Sequence, residues 1–391
     1  MQIGFLTYDL QPFTEDCLFR ILQAIKPIKL KAYPIITHEN QKQSRIPSLP
    51  SRQKGKHLGV NRIGNTPEGF MSNVNWQVAW RCVLESDIVV LFGLQGGTAL
   101  VTAFLASVMR RKIISVNQTL PVAGEVKREW WVKWLKGWLL NRCDFHIYQT
   151  PVSKEVLMQV YNIKNERLFY APFEAGASWF KRHLEKSFNR RDTVRHGLSI
   201  KKDTTLFLFV GNLVPFKGIP DLIEALSLLP KDKNFFCIFV GPEEPLHKVG
   251  GTVKYFTEVA ECHGVQKYVR FLGSLGPVKL AEMYWATDAV ILPTHRDTFG
   301  KVLVEGALAS KPLVTTDACS AVGAMVIDGD NGFVVKTGDI QALAEAMKKL
   351  LDQDLRNKMG KRSLEIVNTF CNEKIETLGY VDAVKAALHE R

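Results

Sequence analysis

From residue 204 onward the chain repeats one pattern: a continuous apolar run, a polar turn, then a stretch with helical spacing. The runs at 206–210, 236–240, 269–272, 289–292 and 313–315 lack the polar alternation of a half-solvated strand, so each is expected to be buried on both faces. Strands of that kind, separated by helices, pair in parallel through right-handed crossovers. The first half follows the same rhythm, with strands expected at 2–8, 87–92, 112–116 and 144–150. Helices are expected at 16–26, 73–84, from Gly96-Gly97 to Met109, at 125–142 and at 153–160. The fold class is therefore α/β, with two similar doubly wound halves whose ligands gather at the carboxyl ends of the strands. A chain of 391 residues is long enough for two such cores. The basic, irregular stretch 174–202, which carries Arg190-Arg191, reads as the boundary, giving domains 1–185 and 200–371 and a last helix at 372–391.

Composition narrows the partners. A formal net charge of +12 calls for an anionic one: nucleic acid, an acidic membrane surface or a phosphorylated substrate. The basic residues are spread over the first half and the boundary, with no nucleic-acid-binding module, so nucleic acid is not expected. Seven cysteines without a C-x-x-C pair argue for reduced thiols and against a structural zinc site or a disulfide framework. The start lacks a basic and apolar leader, and no stretch reaches the roughly 18 apolar residues of a bilayer span, so a cytoplasmic protein is expected. Residues 38–70 are polar and basic and read as a loop.

The helix expected at 125–142 places Trp130, Trp131, Trp134 and Trp138 within about 100° of arc, with Leu135 and Leu139 beside them and Lys133 and Lys136 opposite. Two readings stand equal: a cationic helix lying in a membrane interface, and a core helix covering the sheet.

Residues 293–305, PTHRDTFGKVLVE, carry the chemistry. They form the end of a strand, a loop and a helix beginning, where the N–H groups of Phe299, Gly300 and Lys301 point outward at the positive end of the helix dipole. Gly300 would let a ligand approach the backbone, and Asp297 and Glu305 would flank the anion and grip hydroxyls.

This stretch, with VGNLVPFKGIPDLIEAL at 210–226, FLGSLGPVKLAEMYWATDAVILP at 271–293 and DGDNGFVV at 328–335, resembles the retaining glycosyltransferases of family four. Their E-x7-E signature is matched with Asp297 in place of the first Glu. The resemblance implies the GT-B fold, two Rossmann-like domains with an interdomain cleft, the last helix crossing back onto the first. It further implies metal-independent, retaining transfer of a hexose from a nucleotide diphosphate sugar, UDP slightly favoured over GDP, to a hydroxyl acceptor. The donor would be substrate, and no cofactor or metal is expected.

On this resemblance Lys217 contacts the diphosphate, Glu305 holds the ribose and Asp297 the sugar. Phe299, Gly300 and Lys301 would offer backbone groups with Val302 beside them, and Leu272, Gly273 and Ser274 would hold the base. His295 is the histidine nearest the pocket. The chain departs from the family at Asn212, where an arginine is usual, and at 317–323, which lacks a Gly-Gly pair. It also has Asn117 and Gln118 where relatives carry a histidine. These departures motivate a rival reading, a non-catalytic nucleotide-sugar-binding protein of the same fold; an epimerase of that fold is disfavoured by the E-x7-E-like stretch. The basic loop and the Trp helix suggest a lipid-linked or surface glycan as acceptor, met at the inner membrane face.

Overall fold

Every strand pairs in parallel with its neighbours, in two separate sheets. The computed structural model describes residues 1–7, 12–25, 28–34, 59–60, 74–94, 96–117, 130–173, 176–243, 251–297 and 299–389. Gln118 and most of the expected loop 38–70 lie outside them, as do the first residues of the helix expected from 125. The chain forms two compact units, Met1–Phe173 with Asn372–Arg391, and Glu174–Cys371.

The first unit runs β1 (Gln2–Thr7), α1 (Pro12–Ala24), β2 (Lys29–Pro34), β3 (Gly59–Val60), α2 (Trp76–Glu85), β4 (Ile88–Phe92), α3 (Gly97–Val108), β5 (Lys112–Asn117), α4 (Trp130–Arg142), β6 (Phe145–Tyr148), α5 (Pro151–Gln159) and β7 (Leu168–Tyr170). Its seven strands lie in the order β3-β2-β1-β4-β5-β6-β7. On one face Ile3, Phe5, Ile114 and Ile147 pack with Leu18 and Ile21 of α1 and with Tyr380, Val381 and Val384 of the C-terminal helix Glu373–His389. The other face is covered by α2, α3, α4 and α5 through residues such as Val78, Cys82, Ala103, Leu140 and Leu157. The strands β2, β3 and β7 were not expected. In β2, buried Leu30, Ala32 and Tyr33 are interrupted by Lys29 and Lys31, and Lys31 and Tyr33 both reach Glu85.

The second unit begins earlier than its sequence suggests. The stretch taken as an irregular boundary contains α6 (Ala177–Lys186) and α7 (Arg191–Gly197). They precede β8 (Thr205–Val210), α8 (Ile219–Ser227), β9 (Phe235–Val240), α9 (Thr252–Cys262), β10 (Val269–Phe271), α10 (Pro277–Ala286), β11 (Ala289–Leu292), α11 (Lys301–Leu308), β12 (Leu313–Thr316), β13 (Gly332–Val335), α12 (Ile340–Lys349) and α13 (Gln353–Phe370). The basic residues that suggested a linker do structural work at the end of α10. Arg191 donates to the carbonyl oxygens of Trp285, Ala286 and Thr287 and to Asp288 at 2.6 Å, and buried Arg195 donates to the other Asp288 oxygen at 3.1 Å. Arginine capping a helix carboxyl end satisfies carbonyls that have no partner within the helix. The Trp285 indole donates to Leu184 O at 2.8 Å and so ties α6 to the same place. Residues 177–197 therefore belong to the second unit, and the boundary falls near residue 174 instead of between 185 and 200.

The sheet order of this unit is β10-β9-β8-β11-β12-β13. β8 and β11 are neighbours from which the chain winds away in opposite directions, and the crevice outside such a switch point is where doubly wound sheets take ligands.

Candidate active site

Two segments leave the sheet at that switch point: residues 211–218 after β8 and 293–297 after β11, with 299–300 just before α11. They are joined closely. His295 N donates to Phe216 O at 2.8 Å, and Gly218, at φ +74°, lies so near the second loop that an added Cβ would fall 1.8 Å from Pro293 O. Only glycine tolerates both the left-handed backbone and this approach.

The junction sets Lys217 against Asp297, with Nζ 2.6 Å from Oδ2 and both side chains mostly shielded from water. The other Asp297 oxygen, Oδ1, accepts the N–H groups of Phe299 at 3.1 Å and Gly300 at 2.7 Å. Asp297 thus holds the turn that leads into α11, whose N-cap is Gly300, by accepting from the backbone two and three residues on while pairing with a cation. The N–H groups of Phe299 and Gly300, expected to face a ligand, are engaged by Asp297 in this structure. Gly300 has a different purpose from the one expected as well. Its φ is +68°, and a Cβ there would press on Cys319 Sγ at 2.8 Å and Leu303 at 2.9 Å, so the missing side chain serves the packing beneath the loop.

Glu305 sits in the second turn of α11 and is 7% exposed. Its Oε2 accepts the Tyr284 hydroxyl at 2.8 Å. Burial pushes the Glu305 carboxyl above the usual carboxylate range, against the pull of Lys301 and of the Tyr284 hydroxyl. Tyr284, fully buried on α10, was not anticipated, because it lies 21 residues before Glu305 in a segment that reads as ordinary helix.

His295 has a partner that its sequence context did not reveal. Its Nε2 is 2.7 Å from Oδ2 of Asp221, an acid in the first turn of α8. Asn212 is exposed just beyond β8, and Val302 contributes its carbonyl to the Tyr284 hydroxyl at 3.2 Å. Leu272, Gly273 and Ser274 follow β10, where Gly273 O accepts the N–H of Gly241 at 2.9 Å and Ser274 is exposed. Among the described residues no group of three or more His, Cys, Asp or Glu side chains is arranged to hold a metal ion.

In the first unit Asn117 ends β5 and donates to Ser115 Oγ at 2.9 Å, which meets His146 Nδ1 at 2.7 Å. Burial drives the His146 pKa down to about 3, so the ring is neutral. The Trp face divides. Trp138 packs against the core and against Phe104, with ring centroids 6.4 Å apart, whereas Trp134 is 64% exposed. Trp130 and Trp131 lie in the first turn of α4. The core side of α4 is centred on Leu139 and Leu140, with Trp138 at its margin and Trp134 outside it.

Residues 190–365 match the family model described as glycosyl transferases group 1. D-inositol 3-phosphate glycosyltransferase of Corynebacterium glutamicum (strain R) is 30% identical over 240 residues, covering 59% of this chain and 55% of that protein, so the matched stretch spans little more than half of that curated relative. Sucrose-phosphate synthase of Thermosynechococcus elongatus superposes with a TM-score of 0.74 at 17% identity over 100% of both chains. Anabaena HepE, solved in complex with UDP and glucose, superposes with a TM-score of 0.69 at 19% identity, over 99% of this chain and 100% of its own. These likenesses give the two Rossmann-like units of the GT-B fold, and within the second unit residues 190–365 are similar to the glycosyl transferases group 1 family.

Proposed function

We propose that the protein is a retaining, metal-independent glycosyltransferase that moves a hexose from a nucleotide diphosphate sugar, UDP favoured over GDP, to a hydroxyl of a lipid-linked or surface glycan. The observation that carries this reading is the Lys217–Asp297 pair at the β8/β11 switch point, in front of α11 and in the part of the chain that matches the family model. That HepE was solved with UDP and glucose supports the choice of base.

In this reading the incoming diphosphate gives Lys217 a second anionic partner, and the ammonium stabilises the charge that grows as the leaving group departs. The bond between the anomeric carbon and the β-phosphate oxygen breaks, the acceptor oxygen bonds to the same face of that carbon, and its proton passes to the departing phosphate oxygen. Asp297 orients the sugar through its hydroxyls, and Glu305 accepts the ribose hydroxyls. The acceptor is held by the first unit, in the cytoplasm, at the inner membrane face.

A thermal-shift comparison tests the donor assignment. UDP should raise the melting temperature more than GDP or ADP, because a ligand that binds only the folded chain stabilises it by mass action. The absence of a shift with all three nucleotides would reject the reading. A rival, a nucleotide-sugar-binding protein without turnover, is favoured by one observation: the carboxylate of Asp297 is already occupied by Lys217 and two amides. A protein of that kind would show the UDP shift yet release no sugar from UDP-hexose.

The role of Tyr284 gives a pH prediction. Glu305 must be ionised to grip hydroxyls, and that form is lost as the pH falls through its raised pKa. Removing the Tyr284 hydroxyl takes away a donor to the carboxylate, so in Tyr284→Phe the loss should begin at a higher pH. Donor KM measured between about pH 5 and 8 should therefore rise earlier on acidification in the variant. Coincident profiles would show that Tyr284 has only a packing role.

A further inference from the structure

Three helices of the first unit share one face of its sheet and carry apolar side chains on their outer sides as well as their inner ones. On α2, Val78, Ala79, Cys82 and Val83 are buried while Trp76, Trp80 and Leu84 form an exposed stripe at four-residue spacing, Trp76 with 57% of its surface in water. On the adjoining α3, Phe104 and Val108 continue the stripe, and Trp134 of α4 extends it. α3 has no charged residue from Gly97 to Val108, although part of it faces solvent. A helix that is apolar all round is expected in a core or a membrane, and exposed apolar groups this closely grouped mark a contact surface.

Among the described residues the exposed charges on and beside these helices are mostly basic. Arg81, Arg110 and Arg142 are exposed on or beside the three helices. Neither α3 nor α4 contains an acidic residue. The nearby acids are paired: Glu85 accepts from Lys31 and from Tyr33, and Asp87 accepts the N–H of Gln2 at 2.9 Å and lies 4.0 Å from Arg111. Tryptophan ringed by arginine suits the boundary between headgroups and acyl chains, where the ring is half in hydrocarbon and the cation meets lipid phosphate. A second copy fits less well, because a two-fold interface on this face would bring the same arginines of both copies together. Among the described residues no helix is long and apolar enough to cross a membrane, so the contact would be a surface one.

We infer that the α2–α3–α4 face docks on a lipid bilayer containing anionic phospholipid, with Trp76, Trp80, Phe104 and Trp134 entering the interface and Arg81 and Arg110 meeting the headgroups. The inference rests on the membrane-face setting proposed above and gives it a surface; it does not depend on the donor chemistry.

The test uses the full chain without donor, sedimented with sucrose-loaded vesicles of phosphatidylcholine alone or mixed with phosphatidylglycerol. The wild type should bind the mixed vesicles at least about tenfold more tightly than the neutral ones, and Trp80→Ser with Phe104→Ser and Trp134→Ser should weaken that binding by about tenfold or more. Arg81→Glu with Arg110→Glu should remove the preference for phosphatidylglycerol. If the triple variant melts early, Trp134→Ser alone, at a largely exposed position, should still weaken binding measurably. Wild-type protein left in the supernatant with both vesicles overturns the inference, as does triple-variant binding equal to wild type. Concentration-dependent self-association without lipid that is lost in the triple variant also overturns it, in favour of a second copy. The UDP thermal shift, read on the same samples, separates the two questions: vesicle binding without that shift leaves the surface standing and rejects the donor reading.

Discussion

Lys217→Ala should lower turnover by about two to three orders of magnitude, the range found when a charged contact that strengthens in the transition state is removed. The melting temperature should change little. The side chain is one half of a partly exposed ion pair, and such pairs contribute on the order of 1 kcal/mol or less to stability. Its partner is not abandoned either, since Asp297 retains the N–H groups of Phe299 and Gly300. Lys217→Arg should recover part of the activity, because the guanidinium restores the charge but cannot reproduce a compact ammonium. Steady-state kinetics with UDP-hexose, alongside calorimetry, would separate the cases. Turnover close to wild type removes Lys217 from the chemistry, and a collapse of the melting temperature assigns it a structural role.

Gly218→Val should be among the most damaging single changes in the second unit. Its backbone at φ +74° costs a β-branched residue about 1–2 kcal/mol, and the new Cβ would meet the Pro293 carbonyl at 1.8 Å, where overpacking adds on the order of 1–3 kcal/mol. The loops after β8 and β11 must then part, which carries Lys217 away from Asp297. The expected result is a fall in melting temperature of roughly 10 °C together with loss of the UDP-induced shift. An unaltered melting temperature would mean that the two loops do not depend on each other in solution.

The parts of this arrangement that the sequence makes legible are those carried by local pattern. Runs such as Leu206–Val210 and Ala289–Leu292 announce strands buried on both faces, and β8 and β11 fall on them. The family-like pieces lie on the segments that follow β8 and β11, and with them Lys217, Asp297 and Glu305. What escapes is whatever depends on a distant partner. Lys217 and Asp297 are 80 residues apart, and nothing local says that the aspartate will hold the lysine as well as its own turn. His295 has no partner in its own stretch of sequence, and the fold brings it to Asp221, 74 residues earlier. Arg191 and Arg195 resemble linker charges because their partners, the last carbonyls of α10 and Asp288, lie more than 90 residues on. The tryptophans of α4 are a further case: helical geometry puts them on one arc, but the neighbouring Phe104 and the sheet decide that Trp138 turns in and Trp134 out.

The C-terminal helix bears on how the protein is made. Tyr380, Val381, Val384 and Ala387 belong to the core that α1 and the first sheet also build, and Arg20 of α1 donates to Glu376 at 2.8 Å. Residues 373–389 leave the ribosome only after the whole second unit has been translated. The N-terminal sheet must therefore wait with one flank uncovered while the later-synthesised unit matures, which makes that interval the natural moment for a chaperone to engage the nascent chain.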